Sequence, residues 1–130
     1  MKPAQTLSVN IDCPPGKVYE FVVTPENLPR WAGGLCQSAS LTPAGWMVQT
    51  PQGEMQIRFA ERNAFGVLDH YVTPATGVEI CVPMRVLPNA GGSTLVFTLF
   101  RQPGMSDADY ARDRQLVEQD LNALKELLEG

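Results

Sequence analysis

The sequence predicts an α+β fold in which a strongly curved, seven-stranded antiparallel sheet wraps around one long C-terminal helix, with two short helices between strands 1 and 2. Three observations predict it. From Ser106 to Glu129 no Pro or Gly interrupts the chain, and Tyr110, Val117, Leu121, Leu124 and Leu128 recur on one helical face. From Leu35 to Arg101 the chain instead reads as short apolar segments separated by clusters of Pro, Gly and Asn. Strands segregated in this way from helices indicate α+β, with sequential strands antiparallel because the connections are too short for crossovers.

The first element is a strand. Leu7, Val9 and Ile11 alternate with Ser8, Asn10 and Asp12, the period of a half-buried strand. Cys13-Pro14-Pro15-Gly16 stops it, and Pro15 opens a helix whose apolar face is Val18, Tyr19, Phe21 and Val22. Thr24 reads as a fresh N-cap with Pro25 at the first helical position, and the second helix ends near Ala32, before Gly33-Gly34. The two helices form a V-shaped bracket at one end of the sheet. Six strands come next, at about 35–42, 45–50, 54–61, 65–73, 78–87 and 93–101, and complete the seven. In the last helix Ser106 is the N-cap, and Asp107 and Asp109 place negative charge where the helix dipole favours it. Leu116, Ala123 and Leu127 widen the apolar stripe, while Asp113, Glu118, Glu126 and Glu129 read as its solvated face.

Length and composition bound the function. The 130 residues, 44% hydrophobic, suit one domain over 1–130 with one core. The net charge of −4 and the lack of a Lys/Arg cluster argue against nucleic acid as a partner. No apolar run approaches a membrane span, and the N-terminus shows no secretory pattern, so a cytoplasmic location is expected. Cys13, Cys36 and Cys81 are widely spaced and read as reduced thiols. With one histidine and no CxxC, no metal site is expected, and no motif calls for a cofactor.

Candidate chemistry centres on Asp69-His70. Neighbours on a strand face opposite ways, so the two cannot act side by side. A tight turn at Ala75-Thr76 pairs Tyr71 with Ile80, Asp69 with Val82 and Val67 with Met84. A turn near 89–92 sets Met84 opposite Phe97 and Val82 opposite Leu99. The concave face then holds Val67, Asp69, Tyr71, Ile80, Val82, Met84, Leu95, Phe97 and Leu99, with Asp69 its lone carboxylate. The turn at Arg62-Asn63-Ala64 leaves two registers open. One sets Arg58 beside Asp69; a one-residue slip sets Ile57 and Phe59 there and better matches the pattern of Met55, Ile57 and Phe59. Asp69 is then either a polar group satisfied by Arg58, Tyr71 or backbone, or a pocket carboxylate that orients a ligand. His70, with Arg85, falls on the convex face as a surface or interface residue. Trp31 either closes the barrel mouth as core or lines a ligand entrance.

Four segments together resemble the START-like, or SRPBCC, superfamily, the helix-grip fold, in its polyketide cyclase/dehydrase-like branch. They are Val9 to Tyr19, a strand running through a Pro step into a helix; Thr24 to Trp31; Gly66-Val67-Leu68-Asp69-His70; and the closing helix with Asp120-Leu121-Asn122-Ala123-Leu124. The resemblance spans nearly the whole chain. It implies an apolar ligand, lipid or aromatic and polyketide-like, held between sheet and long helix, and no shared catalytic constellation. Three functions are then in play. The first is a small-molecule binding protein, its cavity lined by Val67, Tyr71, Ile80, Val82, Met84, Phe97 and Leu99. Val117, Leu121 and Leu124 form the lid, Trp31 stands at the entrance, and Asp69 or Arg58 fixes orientation. The second is a cyclase- or dehydratase-like enzyme moving protons with Asp69, Tyr71 or Tyr19. The third is a homodimeric interaction protein using an apolar convex face of Leu68, His70, Cys81, Pro83, Val96 and Phe100.

Overall fold

The computed structural model describes residues 1–34 and 36–130; Leu35, the expected start of the second strand, lies outside them. The chain runs β1 (Ala4–Ile11), α1 (Pro15–Val23), a 3₁₀ turn (Pro25–Asn27), α2 (Leu28–Trp31), β2 (Ser38–Thr42), β3 (Gly45–Thr50) and β4 (Gly53–Phe59). It continues with β5 (His70–Thr73), β6 (Ile80–Val82), β7 (Met84–Asn89), β8 (Gly92–Phe100) and α3 (Asp107–Glu129). The α+β class and the long closing helix are as expected. The single seven-stranded sheet is not: the strands form a three-stranded sheet, β1-β8-β7, and a five-stranded one, β2-β3-β4-β5-β6, all antiparallel.

Pro83 divides the sheets. The strand expected over 78–87 breaks there into β6 and β7, because proline has no N–H to give to a ladder. Its carbonyl still accepts from the Thr98 N–H at 3.0 Å, so the two sheets stay joined at this corner. The expected pairing of Met84 with Phe97 is present, whereas Val82 pairs with His70 and not with Leu99.

The strand expected over 65–73 begins only at His70. Gly66 takes φ +72°, and a β-carbon there would strike the Val86 carbonyl, which explains why glycine stands at this position. The Asn63 side chain accepts from the N–H groups of Phe65 and Val67 and donates to the carbonyls of Glu61 and Val67. These bonds hold 61–69 as an ordered loop in place of a ladder.

The short helices also differ in detail. Thr24 does not cap the second helix: its Oγ1 donates to the Glu20 carbonyl at 2.7 Å, closing α1. A 3₁₀ turn takes up the Pro25 position, and α2 is a single turn that buries Leu28 and Trp31.

The helix α3 is capped as expected, with Ser106 accepting from the Asp109 N–H at 3.1 Å. Both of its ends are tied to the sheet. Arg101 donates to the Met105 carbonyl and pairs with Asp107 at the N-terminal end. At the other end Lys125 donates to the Asn10 carbonyl at 2.8 Å, and Glu129 accepts from the Asp12 N–H at 2.8 Å. Its buried face is Tyr110, Val117, Asp120, Leu121 and Leu124. Inward from the strands come Leu7 and Ile11, Val48, Ile57, Met84 and Val86, and Leu95 and Phe97, all buried.

Candidate functional site

A cavity of about 190 Å³ lies between the five-stranded sheet, α2 and α3. Alternation along each strand decides what faces it. In β3 and β4 the inward residues are Val48, Thr50, Met55 and Ile57, with exposed Gln52 from the intervening turn. In β5, β6 and β8 they are His70, Val72, Val82, Phe97 and Leu99. The bracket adds Leu28, Trp31, Ala32 and Cys36, and α3 adds Asp113, Val117, Asp120 and Leu121.

The faces of β5 are reversed from those expected. The pairs are Val72 with Ile80, Tyr71 with Cys81 and His70 with Val82, one residue away from the anticipated register. The cause is the turn: Gly77 donates to the Pro74 carbonyl at 2.9 Å with φ +84°, which makes the loop one residue longer than a tight turn at Ala75-Thr76. A shift of one residue turns every side chain to the other face. His70 therefore faces the interior and is 7% exposed, while Tyr71 lies outside beneath Arg58, whose guanidinium carbon sits 4.5 Å from the ring centre. In β4 Phe59 stands opposite His70 and Arg58 opposite Tyr71, so the slipped register, which sets Ile57 and Phe59 beside Asp69, is not formed: Arg58 shares the outer face with Tyr71, while Ile57 and Phe59 face inward with Val72 and His70.

Of the residues named from sequence as ligand-facing, Trp31, Val82, Phe97, Leu99, Val117 and Leu121 line the cavity. Met84 and Leu124 are buried in the core but outside the cavity wall, and Ile80 is half-buried beyond it. Arg58 points outward and pairs with Glu79 at 3.3 Å. Val67 makes an isolated bridge with Arg85. Asp69 accepts from Arg85 Nη1 at 2.5 Å and from the Met84 N–H at 2.8 Å, so it locks the loop onto β7 away from the cavity. Tyr19 is buried at the other end of the bracket, where its hydroxyl accepts from the Asn63 N–H at 3.1 Å. The convex apolar face also shrinks, since Leu68 and His70 are both buried.

The polar groups that do meet the cavity are not those the sequence pattern picks out. His70 Nδ1 bonds the Leu68 carbonyl at 3.1 Å, and its ring lies between Phe59, 5.0 Å away, and Phe97, 6.3 Å away. Burial pushes its pKa below the usual 6.5, against the weaker pull of the Leu68 carbonyl and of Asp69, so the imidazole is neutral at pH 7. Asp120 is 7% exposed and forms no ion pair among the described residues. Burial raises its pKa from 3.8 to about 6, and the neighbouring Gly34 N–H holds back part of that rise. Asp113, seven residues earlier, is half-buried, with its pKa raised by burial and by Asp109. It is therefore not part of the solvated face. Positions 113, 117, 120, 121 and 124 share the stripe of α3, and that spacing is the signal that finds it. The Cys36 thiol is raised to about 11 by burial and by the Asp120 charge, and stays protonated. Trp31 Nε1 is buried with no hydrogen-bond partner among the described residues.

Gly34 sets how closely α3 approaches this end. A β-carbon there would lie 3.1 Å from Leu116 and 3.3 Å from the Asp120 carboxylate. Among the described residues no group of three His, Cys, Asp or Glu side chains is arranged to hold a metal ion, and no helix is long and apolar enough to cross a membrane.

No protein-family model matches the chain, and no curated protein sequence matches it. Solved structures do. A START superfamily protein from Mycobacterium smegmatis superposes with a TM-score of 0.70 at 11% identity, covering 97% of both chains. Ara h 8.0201 gives 0.74 at 16% identity, covering 98% of both chains. DynU16, from the dynemicin biosynthetic locus, gives 0.71 at 20% identity; the match covers 97% of this chain and 47% of DynU16. At these identities the likeness is one of architecture, and with the strand order and closing helix described above it shows that this chain has the START-like, or SRPBCC, fold.

Proposed function

We propose that the protein binds a small apolar ligand in the cavity between the five-stranded sheet and α3. The observation that carries this reading is a largely apolar, partly enclosed space walled in part by Trp31, whose buried indole N–H has no partner among the described residues. Buried donors are almost always paired, and an orphan one beside a cavity is a natural contact for a ligand acceptor. The volume, about 190 Å³, is comparable to an engineered cavity of about 150 Å³ that admits benzene. A single aromatic ring with a short substituent fits the space as it stands; a long acyl chain or a polycyclic polyketide requires α3 to move outward.

A panel of single-ring aromatics and medium-chain lipids, scored by thermal shift and native mass spectrometry, tests the reading. A ligand at 100 times its Kd stabilises the folded state by about 2.7 kcal/mol, a readily measured shift. Stabilisation by ring compounds, lost when Val72→Phe fills the cavity, is the expected result. A panel that leaves the melting temperature unchanged counts against it.

A second reading, a proton-transferring enzyme of cyclase or dehydratase type, is favoured by one observation: His70 and Asp120 line the same cavity. These two groups, and not Asp69, Tyr71 or Tyr19, would then move the proton. Exchange of the α-protons of a bound aryl ketone into deuterated water, abolished in His70→Phe, is the outcome that separates catalysis from binding alone.

A further inference from the structure

Binding of an apolar body in this cavity, on which the present inference rests, leaves the ligand's polar end undefined. The cavity wall carries two carboxyl groups, Asp113 and Asp120, and among the described residues no lysine or arginine. They lie two turns apart on α3, a rise of about 10 Å, with Val117 between them. Asp120 is the deeper one, buried beside Gly34 and Leu116 with only a backbone N–H for company. An ionised carboxylate buried without a cation is costly, and the described residues provide it none. The other polar group of the wall without a partner among the described residues, Trp31 Nε1, is a donor.

An anionic ligand would bring a third negative charge into this space. A neutral apolar one would leave Asp120 as it is. A cation on an apolar body would supply what the carboxylate lacks, in surroundings where a charged hydrogen bond is strong. We infer that the cavity takes a small primary amine carried on an aromatic ring, the ammonium against Asp120 and the ring against Val72, Val82, Phe97 and Val117. A ring acceptor such as a phenolic or ether oxygen would meet the Trp31 N–H. Asp113, nearer solvent, adds its field to the approach of the cation.

Three ligands of one skeleton test this at pH 7 by calorimetry and protein NMR: phenethylamine, phenethyl alcohol and phenylacetate. The amine is expected to bind at least about tenfold more tightly than the alcohol, the size of one charge-assisted hydrogen bond, and phenylacetate weakest. Asp120→Asn is expected to bring the amine to within about threefold of the alcohol. Asp113→Asn, at a half-buried position that tolerates change, lowers amine affinity by a smaller factor and serves if Asp120→Asn fails to fold. Equal or tighter binding of the alcohol overturns the amine assignment and leaves the cavity reading standing. An amine preference that survives both substitutions overturns the assignment to α3. Failure of all three compounds to bind at millimolar concentration overturns the cavity reading itself, and the amine with it.

Discussion

Replacing Asp120 with asparagine is expected to stabilise the protein at pH 8, the opposite of what removing a buried charged side chain does when that charge is paired. The carboxylate is 7% exposed and has no cation partner among the described residues. Burial raises its pKa from 3.8 to about 6. A rise of about two pH units corresponds to about 3 kcal/mol of penalty on the charged form. The sign comes from proton uptake. Between about pH 4 and pH 6 the folded state holds a proton that the unfolded state has released, so this group's penalty is full above the folded pKa and disappears as pH falls through the window. Asparagine keeps an oxygen for the Gly34 N–H and carries no charge. Urea denaturation of both proteins at pH 8, 6 and 4 measures the difference, in which the titration of other groups largely cancels. The variant is expected to be more stable by about 3 kcal/mol at pH 8, by less at pH 6, and equal at pH 4. A variant less stable than the parent at pH 8 by more than about 1 kcal/mol would refute the reasoning, since it would mean the charge is stabilised where it sits.

The same geometry sets other expectations. The protein has one histidine, so a proton NMR titration reads His70 directly; its midpoint is expected below 6.5, and one at or above 6.5 contradicts the buried, neutral imidazole. Gly66→Ala sets a β-carbon against the Val86 carbonyl at a positive φ and is expected to cost more than about 2 kcal/mol by chemical denaturation, whereas Gly16→Ala, in open space on α1, is expected to change stability by less than about 1 kcal/mol. Arg85→Ala breaks the pair with Asp69 and is expected to lower stability by about 1 kcal/mol while leaving ligand affinity unchanged, because both side chains lie outside the cavity; a loss of affinity of about tenfold or more would return Asp69 to the site.

Much of this fold is legible in the residues, and the failures share one cause. Helix α3 shows its cap, its length and its stripe because each depends on neighbours within a turn. The turns show because Pro, Gly and Asn act locally. What does not show is register. Whether the 73–80 connection closes after two residues or after more depends on the conformation of Gly77, and that single residue decides whether His70 or Tyr71 enters the cavity. Likewise the strand expected from Phe65 fails on the tertiary contact of Gly66 with Val86, which no local pattern encodes. Trp31, Phe97, Leu99, Val117 and Leu121 face the cavity because each rests on a period that survives a slip elsewhere. The carboxyls of α3 are different, because their signal is local. Asp113 and Asp120 interrupt the apolar stripe at its own spacing, and a polar residue in that position marks either a partner or a pocket.

Ligand binding and proton transfer both require the space beneath α3 to be open to a small ring compound and to be the place where one binds. Nitrogen–proton NMR of the protein titrated with phenethyl alcohol, a probe indifferent to the charge question, examines that requirement without intermediaries. Saturable shifts are expected at Trp31, including its indole N–H, and at Val48, His70, Val72, Phe97 and Val117, all lost in Val72→Phe. Shifts that fail to saturate, or that gather instead on the groove between β1 and α3 around Thr6 and Arg114, would contradict binding beneath α3.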